Sequence, residues 1–188
     1  MDATMTGGGV DLSEFLRRIA ALSDDDFTLA SFSTLAHELE LPDRLLEEHV
    51  HFSEESYARN LLIVTPRFEM VVMCWQSGQL STVHDHLDSF AMSLVLSGVL
   101  LNRNFRRLDD GEVPDYAELQ LINEELFSPG SWLSLDLGAI HQMGNAAGSS
   151  EPLVTLHFYA RPLREINVFH PSENRAERVR LAYSMLHF

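Results

Sequence analysis

From about Arg67 onward the chain is written in short segments, 67–75, 89–101, 119–126, 131–135 and 152–159, rich in apolar and β-branched residues and punctuated by Gly, Pro, Asn, Asp and Ser. Runs of this length, bounded by turn residues, read as strands that must cover one another in a sandwich or barrel. The stretch after Arg175 fits strand and helix equally. Upstream the periodicity is different. Asp11 and Glu14 have capping-box spacing, and Leu12, Phe15, Leu16 and Ile19 follow at helical intervals, which predicts a helix over 12–22. Asp24 to Asp26 offer N-caps to a second helix with Leu29, Phe32, Leu35, Ala36 and Leu39 on one face, and Pro42 opens a third containing Leu45, Leu46 and Val50. The expected architecture is an all-β core with an N-terminal helical region: a Gly-rich mobile start over 1–10, helices over 11–55 packed on the barrel, and the barrel over 56–188.

A chain of 188 residues suits one hydrophobic core, and 45% hydrophobic with 22% charged residues is a globular balance. The formal net charge of −15 repels phosphate backbones and anionic lipid, so neither nucleic acid nor a membrane surface is an expected partner. The densest basic run, Arg103, Arg106 and Arg107, is followed at once by Asp109, Asp110 and Glu112. With Cys74 as the one cysteine, no internal disulfide forms. No apolar run approaches the roughly 18 residues of a membrane span, and residues 1–10 lack the basic and apolar regions of a signal peptide. A cytoplasmic protein is expected.

The strongest local signal is Val83-His84-Asp85-His86. Extended backbone sends residues two apart to the same face, so both imidazoles can meet one metal ion, although such pairs also occur on ordinary surfaces. The frame around the pair adds to it. Gly78 precedes His84 by the interval of G-x5-H-x-H, and Gly138, His141 and Asn145 are spaced as G-x2-H-x3-N. These blocks resemble the paired motifs of the cupin superfamily. The resemblance implies a small double-stranded β-helix barrel in which the two blocks face each other and bring His84, His86 and His141 to one metal. Most metal cupins place a Glu beyond the second histidine with three or four residues between them, where this chain has Phe90 and Ala91. Three neutral imidazoles leave a divalent metal its full charge and favour an anionic ligand, for which a thiolate is suited.

Further blocks narrow the resemblance. Tyr57-Ala58-Arg59-Asn60-Leu61, Cys74-Trp75, His84-Asp85-His86-Leu87-Asp88-Ser89, Leu96-Ser97-Gly98-Val99-Leu100, Gly138-Ala139-Ile140-His141 and Thr155-Leu156-His157-Phe158-Tyr159 are similar, in order and spacing, to the cysteine dioxygenase family over about 56–169. The family implies Fe(II) on His84, His86 and His141, a small thiol chelating through thiolate and amine, and O2 in the remaining position, giving a sulfinic acid. L-Cysteine oxidised to cysteine sulfinate, a step of sulfur amino-acid metabolism, is the leading expectation, because Arg59 stands where the mercaptopropionate-type branch carries glutamine. Arg59 would hold the substrate carboxylate with Tyr57 as second donor. Tyr159 would be the catalytic tyrosine, oriented by His157, which bonds Thr155; the three share strand parity. Trp75 is expected to shape the pocket and Cys74 to pack as a small hydrophobe. His37, His49, His51, His170 and His187 have no partner spacing.

The chain also departs from the pattern. The cysteine that animal members crosslink to the active-site tyrosine is replaced by Ala91. The Ser-Pro-Pro run that follows the tyrosine, with its cis peptide, is replaced by Ala160-Arg161-Pro162, for which a trans Ala160–Arg161 bond is expected because non-proline cis bonds cost ~2.5–4 kcal/mol. Arg161 and Arg164 read as exposed loop residues; the alternative is a second positive charge suited to mercaptosuccinate. Within the enzyme reading, 3-mercaptopropionate, mercaptosuccinate or another thiol acid are the alternative substrates. A non-catalytic metal- or ligand-binding cupin is the alternative of another class. The expected partners are a small thiol and O2, with the chain a monomer or small homo-oligomer.

Overall fold

The structure, a computed structural model, describes residues 9–184; the expectation of mobility for the glycine-rich start falls almost wholly outside them, as does His187. Residues 1–48 and 49–188 form two compact units. In the first, α1 (Leu12–Ala21) begins where the Asp11 carboxylate accepts from the Glu14 backbone N–H at 2.8 Å. The helix α2 (Leu29–Glu38) is capped by Thr28 rather than by the acidic run, because Asp24 to Asp26 are spent in a turn where Asp26 accepts the Ser23 hydroxyl at 2.6 Å. Phe15 and Phe32 meet edge to face at 5.9 Å between the two helices. A third helix, α3 (Asp43–Glu47), ends before Val50.

Among the described residues the second unit is all β. Its strands are β1 (Ala58–Val64), β2 (Glu69–Trp75), β3 (Val83–His84), β4 (Phe90–Ser97), β5 (Leu100–Arg107), β6 (Leu119–Phe127), β7 (Trp132–Leu135), β8 (Ile140–Gly144), β9 (Leu153–Ala160), β10 (Glu165–His170) and β11 (Arg175–Arg180). They form two antiparallel sheets, ordered β1-β2-β9-β4-β7 and β11-β10-β3-β8-β5-β6. Inward-pointing Val71, Met73, Trp75, Leu133, Leu153 and Val168 from both sheets build one core, the cupin double-stranded β-helix arrangement.

Three details refine the strand reading. The 89–101 run is two strands, because Gly98 turns the chain at φ 76°, and a Cβ there would lie 2.6 Å from the Pro152 carbonyl oxygen. The stretch after Arg175 is strand β11, paired along its whole length with β10. The chain enters the sheet earlier than Arg67 suggests: β1 pairs with β2 from Ala58↔Cys74 to Val64↔Glu69, with a bulge between Leu61 and Ile63. Its polar start, Arg59-Asn60, hides a strand whose inner face lines the site rather than the apolar core.

Candidate active site

The short strand β3 lies between β10 and β8, and its His84 sits directly across from His141 of β8. Facing residues of an antiparallel pair are the nearest cross-strand neighbours a sheet offers. His86, two residues on, points to the same side. The result is a cluster of three imidazoles with ring centroids 4.6–5.0 Å apart and one nitrogen of each within 4.8 Å of the others. All three are buried.

Hydrogen bonds at the far side of two rings decide where their protons are. His84 Nδ1 faces the Thr82 carbonyl at 2.9 Å, and a carbonyl only accepts, so Nδ1 carries the proton and Nε2 is bare. His141 Nδ1 faces Asn102 Oδ1 at 2.8 Å, while the Asn102 amide nitrogen donates to Asn104 Oδ1 at 3.0 Å, which assigns the amide's orientation and again leaves Nε2 bare. His86 Nε2 lies 3.4 Å from His141 Nε2, and its own Nδ1 is buried without a partner. Nitrogen atoms converging in a dry site need a proton or a cation between them. Loss of water is the largest influence on all three rings: it holds His84 down at about 4, and His86 and His141 well below the ordinary histidine range. Three neutral imidazoles with two tautomers preset fit a divalent first-row metal with open positions. The positions of the missing carboxylate, Phe90 and Ala91, are buried and apolar.

Strand β9 forms the adjoining wall. Its alternation sends Thr155, His157 and Tyr159 inward, and they bond in sequence: Thr155 Oγ1 to His157 Nε2 at 2.7 Å, and His157 Nδ1 to the Tyr159 hydroxyl at 3.1 Å. Ser93 of β4 also reaches Nδ1, at 2.9 Å. Trp75 does more than shape the pocket, because its indole N–H, which can only donate, reaches Thr155 Oγ1 at 3.0 Å. With that lone pair used, the simplest proton arrangement has Thr155 donating to Nε2 and Nδ1 carrying the ring proton toward Tyr159 and Ser93, leaving the Tyr159 proton free to be donated. Burial, reinforced by the Arg59 charge, holds His157 neutral at about 3, and burial raises Tyr159 far above an ordinary phenol. The Tyr159 ring packs edge-on against His86 at 5.4 Å, linking this chain to the imidazole cluster.

Arg59 enters from β1. Its guanidinium carbon lies 5.6 Å from the Tyr159 ring centre, and its Nε is buried with no hydrogen-bond partner. Tyr57 stacks on Trp75 at 4.2 Å, and burial raises its pKa. All nine residues singled out in the sequence are thus gathered in two neighbouring walls of one barrel. Cys74 is fully buried, accepts from the Asn60 amide at 3.6 Å, and is pushed up to about 11 by burial, which leaves it unreactive. Arg161 and Arg164 are exposed.

Two findings differ from expectation or escaped it. The Ala160–Arg161 peptide is cis, with the Arg161 carbonyl accepting from the Ser89 hydroxyl at 2.8 Å, so the intrinsic trans preference is overridden by the surrounding fold. Glu69 of β2, fully buried, sits 3.4 Å from Arg59 Nη2 and accepts a hydrogen bond from Tyr183. A lone carboxylate in the apolar run Phe68-Glu69-Met70-Val71-Val72-Met73 was its one signal. Tyr183 had none.

Residues 12–172 match the family model for cysteine dioxygenase type I. Cysteine dioxygenase type 1 of Danio rerio is 27% identical over 137 residues, covering 70% of this chain and 65% of that protein. The Rattus norvegicus protein of the same name is 25% identical over 177 residues, covering 83% of this chain and 86% of its own length. Among solved structures, a Bacillus halodurans protein overlays with a TM-score of 0.50 at 18% identity, covering 65% of this chain and 81% of that one, a likeness of fold alone.

Proposed function

The chain belongs to the cysteine dioxygenase type I family, and on that premise we propose that it is an Fe(II)-dependent thiol dioxygenase acting on a small thiol carboxylate, with L-cysteine as the leading substrate. The balanced reaction is one thiol plus one O2 giving one sulfinic acid, both oxygen atoms ending on sulfur. The observation that carries the reading is a buried triad of neutral imidazoles beside a buried guanidinium whose Nε has no protein partner.

His84, His86 and His141 would hold the metal, which when bound supplies a common meeting point for thiolate and O2 and the redox capacity that side chains lack. Arg59 would take the substrate carboxylate on its unpartnered Nε by a charge-assisted bond, fixing the sulfur's position. Tyr57, stacked on Trp75, borders the same space. Tyr159 would stand as a neutral donor whose raised pKa keeps its proton available to oxygen or to the substrate, while His157, Thr155 and Trp75 hold its orientation. Val71, Met73 and Leu133 pack in the apolar core that Trp75 and Tyr159 also join, which would keep bulk water from that side of the site.

The test is anaerobic Fe(II) loading followed by oxygen uptake and mass-spectrometric detection of sulfinate with L-cysteine, 3-mercaptopropionate, mercaptosuccinate and cysteamine in parallel. One O2 consumed per sulfinate formed supports the reading. Oxygen uptake without sulfinate for every thiol, or no uptake by the iron-loaded protein, removes it and leaves the binding-module class.

A further inference from the structure

Glu69 lies beside Arg59 and across from Tyr159 in the sheet, yet it has no part in the proposed holding of metal or thiol. It is fully buried on the inward face of β2, directly paired with Tyr159 in the sheet register. One of its oxygens faces Arg59 Nη2 at 3.4 Å and the other accepts from the Tyr183 hydroxyl. Tyr183 stands just beyond β11, in a segment tied to the site by neighbouring bonds: Ser184 N–H donates to the Arg59 carbonyl at 2.8 Å and Arg59 N–H donates to Ser184 Oγ at 2.9 Å. The guanidinium is thus flanked by the Tyr159 and Tyr183 rings at 5.6 and 5.9 Å, with Nη2 turned to Glu69 and Nε left over.

Arg59 and Glu69 together are neutral, so the pocket presents one guanidinium edge with no surplus cation behind it. The other cations nearby do not change this. Arg164 is exposed and donates to the Tyr183 hydroxyl at 3.1 Å, and Arg161, with its side chain 73% exposed, lies 3.9 Å from Asp88. Solvent screens both. A first substrate carboxylate can take the unpartnered Arg59 Nε; a second would lie within reach of Glu69 with no positive partner.

We propose that Glu69 is a specificity-determining residue that, by neutralising Arg59 from behind, restricts the site to thiols carrying a single carboxylate and turns away thiol dicarboxylates such as mercaptosuccinate. The inference rests on the thiol-binding reading of the site and names its substrate class. Like charges some 7 Å apart at an effective dielectric of about 20 repel strongly enough to weaken binding by roughly tenfold or more. Because both Glu69 oxygens are engaged by protein, it acts through Arg59 and through its field rather than by touching substrate.

The experiment is binding, read apart from turnover. Co(II)-loaded protein is titrated without oxygen with 3-mercaptopropionate, L-cysteine and mercaptosuccinate, following the thiolate-to-cobalt charge-transfer absorption. The wild-type protein is expected to bind mercaptosuccinate about tenfold more weakly than 3-mercaptopropionate. Glu69→Gln and Glu69→Asn should bring the two within about threefold, while Glu69→Asp, which keeps the charge, retains the gap. Equal or tighter binding of mercaptosuccinate by the wild type overturns the proposal even if no variant folds. So does a gap that persists in the neutral variants, or one lost equally in Glu69→Asp, which would assign the effect to packing. A wild-type protein that gives no charge-transfer band with any thiol overturns the thiol-binding reading itself, and this proposal with it.

Discussion

Asn102→Ala is the perturbation that most directly tests how the proposed metal centre is built. Asn102 is fully buried and lies outside the group of three imidazoles; its Oδ1 receives the His141 Nδ1 proton at 2.8 Å, and this bond leaves Nε2 bare and the ring fixed. Removing the acceptor strands a buried N–H, at a cost of about 1–3 kcal/mol, and frees the ring to move its proton to the atom that must bind metal. Loss of such an outer partner weakens metal binding by ~10–100-fold. At 1.36 kcal/mol per factor of ten that is about 1.4–2.7 kcal/mol, within the range for a lost buried bond. Asn102→Asp restores an acceptor of the same shape at the same place, so it should recover most of the affinity although it forfeits the bond to Asn104 Oδ1. The assay is competition for Fe(II) or Co(II) against a chelator of known strength, on protein shown by circular dichroism to be folded. An Asn102→Ala affinity within about threefold of wild type, or equal losses in Ala and Asp, would refute the claim that this bond presets His141.

Other perturbations separate the remaining roles. Arg59→Ala should keep its metal and raise KM for a thiol carboxylate by ~10–100-fold, measured by steady-state oxygen uptake. It should also cost about 3–5 kcal/mol in urea unfolding because it strands the buried Glu69 charge; adding Glu69→Gln should return much of that stability, and a double variant no more stable than Arg59→Ala would contradict the pairing. Tyr159→Phe should bind metal and thiol normally and lose roughly 100-fold in kcat, and unchanged sulfinate formation would remove the phenol from the chemistry. The metal-free protein should also weaken in mild acid. His84 titrates at about 4 and His157 at about 3 when folded, against 6.5 for the free side chain, so the unfolded chain takes up protons first as pH falls below 6.5. Stability is full above 6.5 and is lost down to the folded values, His84 alone accounting for about 3 kcal/mol. A urea midpoint unchanged between pH 7 and 5 would refute it.

The parts of the site legible in the sequence are those whose geometry is local. Strand parity alone aligns His84 with His86, and Thr155 with His157 and Tyr159, because a period of two needs no knowledge of the partner strand. The glycine and histidine spacing of the two blocks, read through family resemblance, brought in His141, which stands opposite His84 in the sheet. What stayed hidden depends on distant or unusual context. Strand β1 was missed because Arg59 and Asn60 break the apolar rhythm at the very place where the strand lines the pocket. The helix cap at Thr28 lost to a more conspicuous acidic run whose side chains were already engaged in a turn. The cis Ala160–Arg161 peptide contradicts the intrinsic preference of a non-proline bond, and nothing local announces it. Tyr183 reaches Glu69 across a sequence separation of 114 residues, a contact no periodicity encodes.

Burial explains why these hidden residues accompany the visible ones. An arginine only 7% exposed cannot be left without compensation in a folded barrel, and before a substrate arrives the nearest carboxylate must come from the protein. Glu69 meets that requirement, and a second requirement follows, because a fully buried carboxylate needs both oxygens engaged. Arg59 takes one and Tyr183 the other, which draws the segment after β11 across the pocket wall. The imidazoles follow the same logic with the opposite outcome: with no carboxylate at Phe90 or Ala91, burial keeps them neutral and leaves lone pairs converging where only a cation can satisfy them together. On the proposed reading, one pocket holds a cation site whose ligands carry no charge beside an anion site whose charge Glu69 already answers. A ligand that satisfies both must bring a soft anionic donor to the first and one carboxylate to the second, separated by a short carbon chain.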